Sequence, residues 1–586
     1  MSTPDPPDVP DPPDPPILLD PPILLDSYAA RSCAVKTHNS YDPRVHPGRP
    51  PVDPAGTDTF DEGPRHRDLV LAELLAGPGR TVDLRGGNPD PAAGAEAMAE
   101  GADVIVAGSV PADPAGHRRG RPDVWIRGAD TPDGRPGYHP VLIRARPMLE
   151  LRRSGRQHTF DTPVSTLSAP SPGTAVHADS RVVRWAGREA ELIQVAHWWR
   201  MLEGLGLAAG GTRWGGLIGT DRLPDGQLVI AWADLDRPAV RTYSRHLPAG
   251  WTVRSVLERY DHEHSFRVAV ARTALRQAEP DAPDPLVRPI VTRECARCEW
   301  WEVCRPQLDD RDLSLRIDKA PLDVREIAVL RRLGVSTIDE LARADLAELL
   351  PRYLPQVRHR PGADRRLELA AHRSRLLAAG RTLERATEGP IDIPRAALEI
   401  DFDLETSRDD RVYLWGFLLQ DRAHGTSRYH HVSSFTDLDA DAEAALAVRA
   451  MTWLLRLTAE RDSVLVYHYS AFELQRLSRL AGRTGSPILG QALRWARRHF
   501  VDLFPLVRAN FFSVHGLGLK VIAHDGAGFS WRDDDPGGLN SQRWFDDAVH
   551  ADDPIDREAA RTRVLQYNED DVRATAALRD WLDRLG

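Results

Sequence analysis

Cysteine is scarce in this chain, with four residues in 586. That excludes the dense disulfide framework that staples small secreted domains. Positive charge is not in excess either. The 76 Lys and Arg residues face 86 Asp and Glu, for a formal net charge of −10. No global field draws the chain to a polyanion, so any such binding must come from local basic patches. No apolar run is long enough to span a bilayer, and no membrane partner is expected. No Gly-x4-Gly-Lys-Ser/Thr loop occurs, so no ATPase activity of its own is expected. The N-terminal segment lacks the basic and apolar regions of a secretory signal. Together with the few cysteines, this predicts a cytoplasmic protein.

What is present reads as globular. Hydrophobic residues make up 41% and charged residues 28%, ordinary values for a folded protein. The length predicts two to four domains. Residues 1–24 are rich in Pro and Asp, and the motif PPILLD occurs twice by residue 26. They predict a disordered, partly polyproline lead. Three of the four cysteines fall within ten positions, as Cys295-x2-Cys298-x5-Cys304, and Cys33 lies far upstream. Metal ligation explains the clustering best. Four thiolates are the ligand count of a [4Fe–4S] cluster or of a structural Zn²⁺. Binding would tie the start of a domain over residues 25–308 to its end.

Within that domain HRDLVLAELLAG has helical periodicity and carries Glu73. EGADVIVAGSV reads as a buried strand, GRPDVWIRGAD as a strand with Asp123, and YHPVLIRARPML as a strand with Arg144 and Arg146. ELIQVAHWWRMLEGLG then reads as a helix with Gln194 and Trp198 one turn apart. In this order the pieces resemble the RecB-type PD-(D/E)xK nuclease family, a restriction-endonuclease-like α/β fold. The resemblance implies site residues at Glu73, Asp123 and Gln194, with Trp198 where the family has Tyr. It also implies that the four cysteines are an iron–sulfur staple. The (D/E)-x-K positions fall on Leu142-Ile143-Arg144. Leucine cannot ligate a metal, and arginine stays protonated and cannot act as a base. The expectation is a catalytically degenerate domain that binds DNA, with Arg144 and Arg146 on phosphates.

Residues 309–390 read as a helical connector. Its break at Gly334-Val335-Ser336-Thr337 allows Ser336 or Thr337 to cap the second helix. An apolar seam runs through Leu330, Leu333, Val335, Ile338 and Leu341. Two short helices joined in this way resemble a helix-hairpin-helix element.

Residues 391–586 carry the more specific pattern. In AALEIDFDLETSRDDRVYLWGFLLQD a strand, a turn and a second strand follow one another. Asp401, Asp403 and Glu405 alternate and so share one face. Carboxylates crowded on one face are costly unless cations neutralise them. Phe472-Glu473 follows an apolar strand, Asp502 suggests a structural role, and Tyr567-x3-Asp571 lies on a helix with both residues on one face. These motifs resemble the DEDD exonucleases of the RNase H-like fold. The resemblance implies that Asp403, Glu405, Glu473 and Asp571 hold two Mg²⁺ or Mn²⁺, that Tyr567 orients the attacking water, and that cutting runs 3′ to 5′. Phe529, Trp531 and Trp544 could stack on bases or fill the core.

The sequence thus predicts an α/β chain in which a degenerate RecB-like domain, a helical connector and a C-terminal RNase H-like domain follow in order. The function expected is metal-dependent hydrolysis of DNA phosphodiesters. The alternatives are a non-cutting nucleic-acid-binding or assembly factor with an iron–sulfur or zinc staple, and zinc-stapled RNA processing.

Overall fold

The computed structural model describes residues 22–51, 59–86, 90–151, 159–244, 247, 250–461, 463–534 and 537–585. By internal packing the chain divides into two units. One comprises the chain up to Pro51, Phe60–Pro289 and Glu294–Arg305, and the other includes Ile290–Arg293 and runs from Pro306 onward. The lead expected to be disordered lies, up to residue 21, outside the described residues. Residues 22–24 depart from that expectation. Ile23 is buried with Leu25, Ala29 and Val268, and the Leu24 N–H donates to Tyr41 Oη (3.0 Å). Among the described residues no helix is long and apolar enough to cross a membrane.

The first unit is organised by a nine-stranded mixed sheet. Its strands are β1 (Thr81–Asp83), β2 (Val104–Val106), β3 (Val124–Arg127), β4 (Tyr138–Ile143), β5 (Glu150–Leu151), β6 (Thr159–Thr166), β7 (Val176–Arg184), β8 (Trp214–Arg222) and β9 (Leu228–Asp234). They are ordered β1-β2-β3-β4-β8-β9-β6-β7-β5. β2, β3 and β4 form an antiparallel meander, and β4 runs parallel to β8. Helices α1 (Ala34–Tyr41), α2 (Thr59–Leu75), α3 (Trp185–Leu205) and α4 (Val256–Leu275) accompany the sheet. The apolar, β-branched run Val104-Ile105-Val106 is wholly buried, as expected of an interior strand. Two expected placements shift by one residue. Asp123 directly precedes β3, and Arg144 directly follows β4, so both belong to strand ends.

The connector part of the second unit includes the helices α5 (Val324–Arg332), α6 (Ile338–Arg343), α7 (Leu346–Tyr353) and α8 (Ala363–Ala378). Capping boxes open α5 (Asp323, Glu326) and α6 (Thr337, Glu340), so Thr337 rather than Ser336 is the cap. Gly334 takes φ +85° in the turn between them, a conformation that glycine adopts without strain. Leu330, Val335, Ile338 and Leu341 lie in the connector core.

A five-stranded mixed sheet follows, of β10 (Leu398–Thr406), β11 (Val412–Asp421), β12 (Thr426–Ser433), β13 (Val464–His468) and β14 (Phe500–Asp502), ordered β12-β11-β10-β13-β14. β10, β11 and β12 are antiparallel neighbours, while β10–β13 and β13–β14 pair in parallel. Alternation along β10 sorts its side chains. Ile400, Phe402 and Leu404 enter the apolar core with Trp415 and Phe417. Glu399, Asp401, Asp403 and Glu405 take the opposite face. The helices that position the site are α9 (Phe472–Thr484), α10 (Leu519–Asp525), α11 (Gly538–His550) and the long α12 (Pro554–Arg584).

Candidate active site

The acids on β10 meet different fates along the strand. Glu399 pairs with Arg395 (2.8 Å). Asp401 and Arg579, both with no solvent exposure, pair through both carboxylate oxygens at 2.9 Å. The cation that neutralises Asp401 is therefore an arginine of α12. No arginine pairs with Asp403 or Glu405 among the described residues. Their carboxylates instead converge with Asp571 of α12, and the ligand atoms of all three lie within 4.8 Å of one another.

Burial is the first cause pushing all three carboxyl groups above the ordinary carboxylate range. The charges of Glu405 and Asp571 add to the rise at Asp403, and that of Asp571 adds to the rise at Glu405. Three converging carboxylates, one half-buried and two buried, suit a divalent cation. Its charge would replace mutual repulsion with attraction, and its hardness matches oxygen ligands.

The carboxylates are held by hydrogen-bonding neighbours. Asn568 Nδ2 donates to Asp403 Oδ2 (2.8 Å), and the same side chain hydrogen-bonds Glu405. Asn568 Oδ1 accepts from Tyr429 Oη (2.8 Å). Ionised carboxylates can only accept, so the amide must face Asp403 with its NH2 and Tyr429 with its oxygen. Ser541 Oγ donates to Glu405 Oε2 (2.8 Å), and Trp531 Nε1 donates to Asp571 Oδ1 (2.7 Å). Tyr567 lies one helical turn from Asp571 and hydrogen-bonds it. Its oxygen also accepts from Lys520 Nζ of α10 (2.6 Å). The phenol thus receives a proton-bearing partner on one side and donates to Asp571 on the other. Burial first, then the charges of Asp571, Glu405 and Asp403, push its pKa far up and keep it a phenol.

Glu473 lines the same cleft, near enough that its charge acts on Asp403. It stands outside the close trio and accepts from, or shares a proton with, His468 Nδ1 (3.2 Å). Burial raises its pKa and His468 opposes the rise. Asp502 caps a helix, accepting from the N–H groups of Phe504 and Ser470 (both 2.9 Å). Trp544 is a core residue packed edge-on against Tyr567. Sequence reasoning missed Lys520, Asn568, Ser541 and the bond from Trp531 to Asp571.

A family model described as the RNase_H superfamily matches residues 400–583, from within β10 to the end of α12. The C-terminal domain is RNase H-like. Comparison with the curated proteins and with the solved structures gives no match. The matched residues of the RNase H-like domain include Asp403, Glu405, Glu473, Tyr567 and Asp571.

In the first unit the expected site residues are tied to one another. Asp123 pairs with Arg67 (2.8 Å) and accepts from the Ile143 N–H (2.8 Å). Arg144 lies 3.9 Å from Asp123 and donates to Gln194 Oε1 (2.6 Å), while Gln194 Nε2 donates to Ser27 Oγ (3.2 Å). Arg146 pairs with Glu191. Leu142 is buried in the apolar core, and Glu73 is exposed on α2.

The four cysteines gather at one place in this unit. Cys33 precedes α1, its N–H donating to Glu294 Oε2 (3.2 Å), and Asn39 Nδ2 of α1 reaches Cys304 Sγ (3.5 Å). Lys36 and Glu294 form an ion pair (3.3 Å). Burial pushes the Cys304 thiol up to about 11, and the fields of Cys33, Cys298 and Cys295 add to the rise. No three of these sulfur atoms lie within 4.8 Å of one another.

Proposed function

We propose that the RNase H-like domain is a metal-dependent 3′→5′ exonuclease acting on DNA, with the first unit a degenerate RecB-like domain that grips the substrate. The observation that carries this reading is the converging trio Asp403, Glu405 and Asp571, with Tyr567 one helical turn from Asp571. The match of residues 400–583 to a superfamily of nucleic-acid-cleaving folds supports it. Two Mg²⁺ or Mn²⁺ ions held by Asp403, Glu405, Asp571 and Glu473 would supply an acidified water and would stabilise the leaving oxygen. The protein's own part is positional. Asn568 and Ser541 orient the carboxylates, and Tyr567, fixed between Lys520 and Asp571, holds its phenol oxygen beside the Asp571 carboxylate, where it would orient the attacking water.

Degeneracy of the first unit is supported by the guanidinium groups on Asp123 and by the apolar Leu142. Four neighbouring thiols support a bound cofactor there. The placement of one cysteine before the sheet and three after it, which resembles the iron–sulfur staple of the RecB-type family, favours a [4Fe–4S] cluster over Zn²⁺.

The second reading, a nucleic-acid-binding factor that does not cut, is favoured by two contacts. Trp531 occupies an oxygen of Asp571, and His468 engages Glu473. End-labelled single-stranded DNA with Mn²⁺ separates the two. Loss of nucleotides from the 3′ end by wild type, abolished in Asp403→Ala and Asp571→Ala, supports the exonuclease. Retained activity in both variants sinks it, and an inert wild type that still binds DNA favours the second reading.

A further inference from the structure

A cleft of about 870 Å³ opens over Asp403, Glu405 and Asp571. Part of its wall comes from outside the RNase H-like sheet. Arg373 of α8 and Lys319, from the loop before α5, both line it. Connector and RNase H-like domain belong to one packed unit.

Arg373 is an unusual residue for a protein interior. It is 8% exposed, yet it forms no ion pair with a carboxylate among the described residues. Its Nε donates to the Val514 carbonyl (3.3 Å), and its guanidinium lies 5.2 Å from the Phe512 ring centre. Asp318 is the one carboxylate whose field acts on it, and that group is engaged with His515 (3.1 Å). Burial depresses the guanidinium's pKa, but an arginine starts so high that it keeps its charge. A buried, charged guanidinium without a counter-ion is costly unless something anionic completes it.

Lys319 is exposed, and its stem crosses Gly516, where a Cβ would lie 2.9 Å from Lys319 Cε. The backbone at Gly516 is in the left-handed region (φ +93°), which favours glycine beneath this lysine. The same cleft is also lined by Tyr469, Phe472, Phe504 and Phe512. Phe472 is 38% exposed. Cations that neutralise phosphates, beside aromatic faces that stack on bases, are the pairing that holds a single strand without reading its sequence.

We propose that Arg373 and Lys319 form a backbone-phosphate subsite that holds single-stranded nucleic acid in the cleft leading to Asp403, Glu405 and Asp571. This rests on the reading of that cleft as a nuclease site. It makes the connector part of the substrate site rather than a spacer. Arg373 supplies a fixed guanidinium that can grip phosphate oxygens in a fork, and Lys319 supplies a point charge at the rim.

The test is binding of a fluorescein-labelled single-stranded oligonucleotide, DNA or RNA, in EDTA, with full-length Asp403→Asn protein to prevent cutting. The salt dependence of the affinity is followed for that parent and for added Arg373→Gln, Arg373→Lys or Lys319→Gln. The expected result is about tenfold weaker binding for Arg373→Gln and a shallower log–log salt slope, by about 0.7 for each phosphate no longer neutralised. Lys319→Gln should lower the slope similarly, and because Lys319 is exposed that variant keeps the test valid if Arg373→Gln fails to fold. Arg373→Lys should retain the slope but bind more weakly. Unchanged affinity and slope in Lys319→Gln and in folded Arg373→Gln overturn the subsite alone. A parent that binds neither DNA nor RNA overturns the nuclease reading of the cleft as well.

Discussion

Gly416 and Asn568 are locked together by shape. Gly416 stands opposite Asp403 in the β10–β11 pairing, and a Cβ added there would lie 1.7 Å from Asn568 Oδ1. The amide that orients Asp403 fits only because the facing strand has no side chain at that point. Gly416→Ala should displace Asn568 and weaken Mn²⁺ binding by about 10- to 100-fold, the usual cost of losing a group that orients a metal ligand. Asn568→Ala should do the same. The double variant should bind no worse than Asn568→Ala, because the clash disappears with the amide. Mn²⁺ titration followed by electron paramagnetic resonance checks this, and additive losses would disprove the coupling.

The metal-free trio should make stability fall as pH rises. Asp403, Glu405 and Asp571 are all raised above their ordinary values, first by burial. An acid raised in the folded state favours folding while protonated, and that contribution disappears as pH climbs through its folded pKa. In EDTA the Tm should therefore decline as pH rises from about 4, the ordinary carboxylate value, toward neutrality and beyond. Saturating Mn²⁺ or Asp403→Asn should flatten the decline. A Tm that rises steadily over this range in EDTA would contradict the arrangement.

Trp531 makes the opposite kind of prediction from most substitutions near a site. Its indole N–H occupies Asp571 Oδ1. Trp531→Phe keeps a ring and removes the donor, so Asp571 gains a free oxygen for a cation. Mn²⁺ affinity should rise about two- to tenfold, the equivalent of one modest hydrogen bond. Isothermal calorimetry reads this directly, and weaker binding would show that the indole supports the ligand instead.

Arg579 and Asp401 carry a stability prediction. Both are fully buried and bonded through two oxygens. Arg579→Leu leaves a buried charge alone and should cost about 3–5 kcal/mol in urea unfolding. Asp401→Leu in the same chain should recover most of that deficit. Equal instability of the double variant would mean that the arginine contributes mainly by packing.

Much of the site was legible in the sequence because its motifs are local. Asp403 and Glu405 alternate on one strand, and Tyr567 and Asp571 are one helical turn apart, so spacing alone brings each pair to one face. Asp401 shows where that logic stops. It fits the same alternation, but its partner Arg579 comes from the other end of the domain, and only packing reveals that its cation is an arginine. Lys520 and Trp531 were hidden for the same reason, since each reaches the acids from another segment, whereas Asn568 lies inside the Tyr567-x3-Asp571 motif and only packing shows its bond across to Asp403 of β10. Glu473 carries a motif position but is held by His468, outside the close trio. In the first unit β2, β3, β4 and the helix with Gln194 were readable, but β5, β6 and β7, which intervene between β4 and that helix, were not. The ties of Asp123 to Arg67 and of Arg144 to Gln194 depend on tertiary packing no spacing encodes. The packing of Ile23 was masked by the proline-rich composition beside it.

Helix α12 carries Tyr567, Asn568, Asp571 and Arg579 without interruption. These four side chains therefore share one degree of freedom. Deleting or inserting a single residue between them turns the later ones by about 100° around the axis, so it would break the grip on β10 and the acidic trio in the same event. Length variation in this stretch is thus all-or-nothing, and tolerated drift must be sought in the loops on either side.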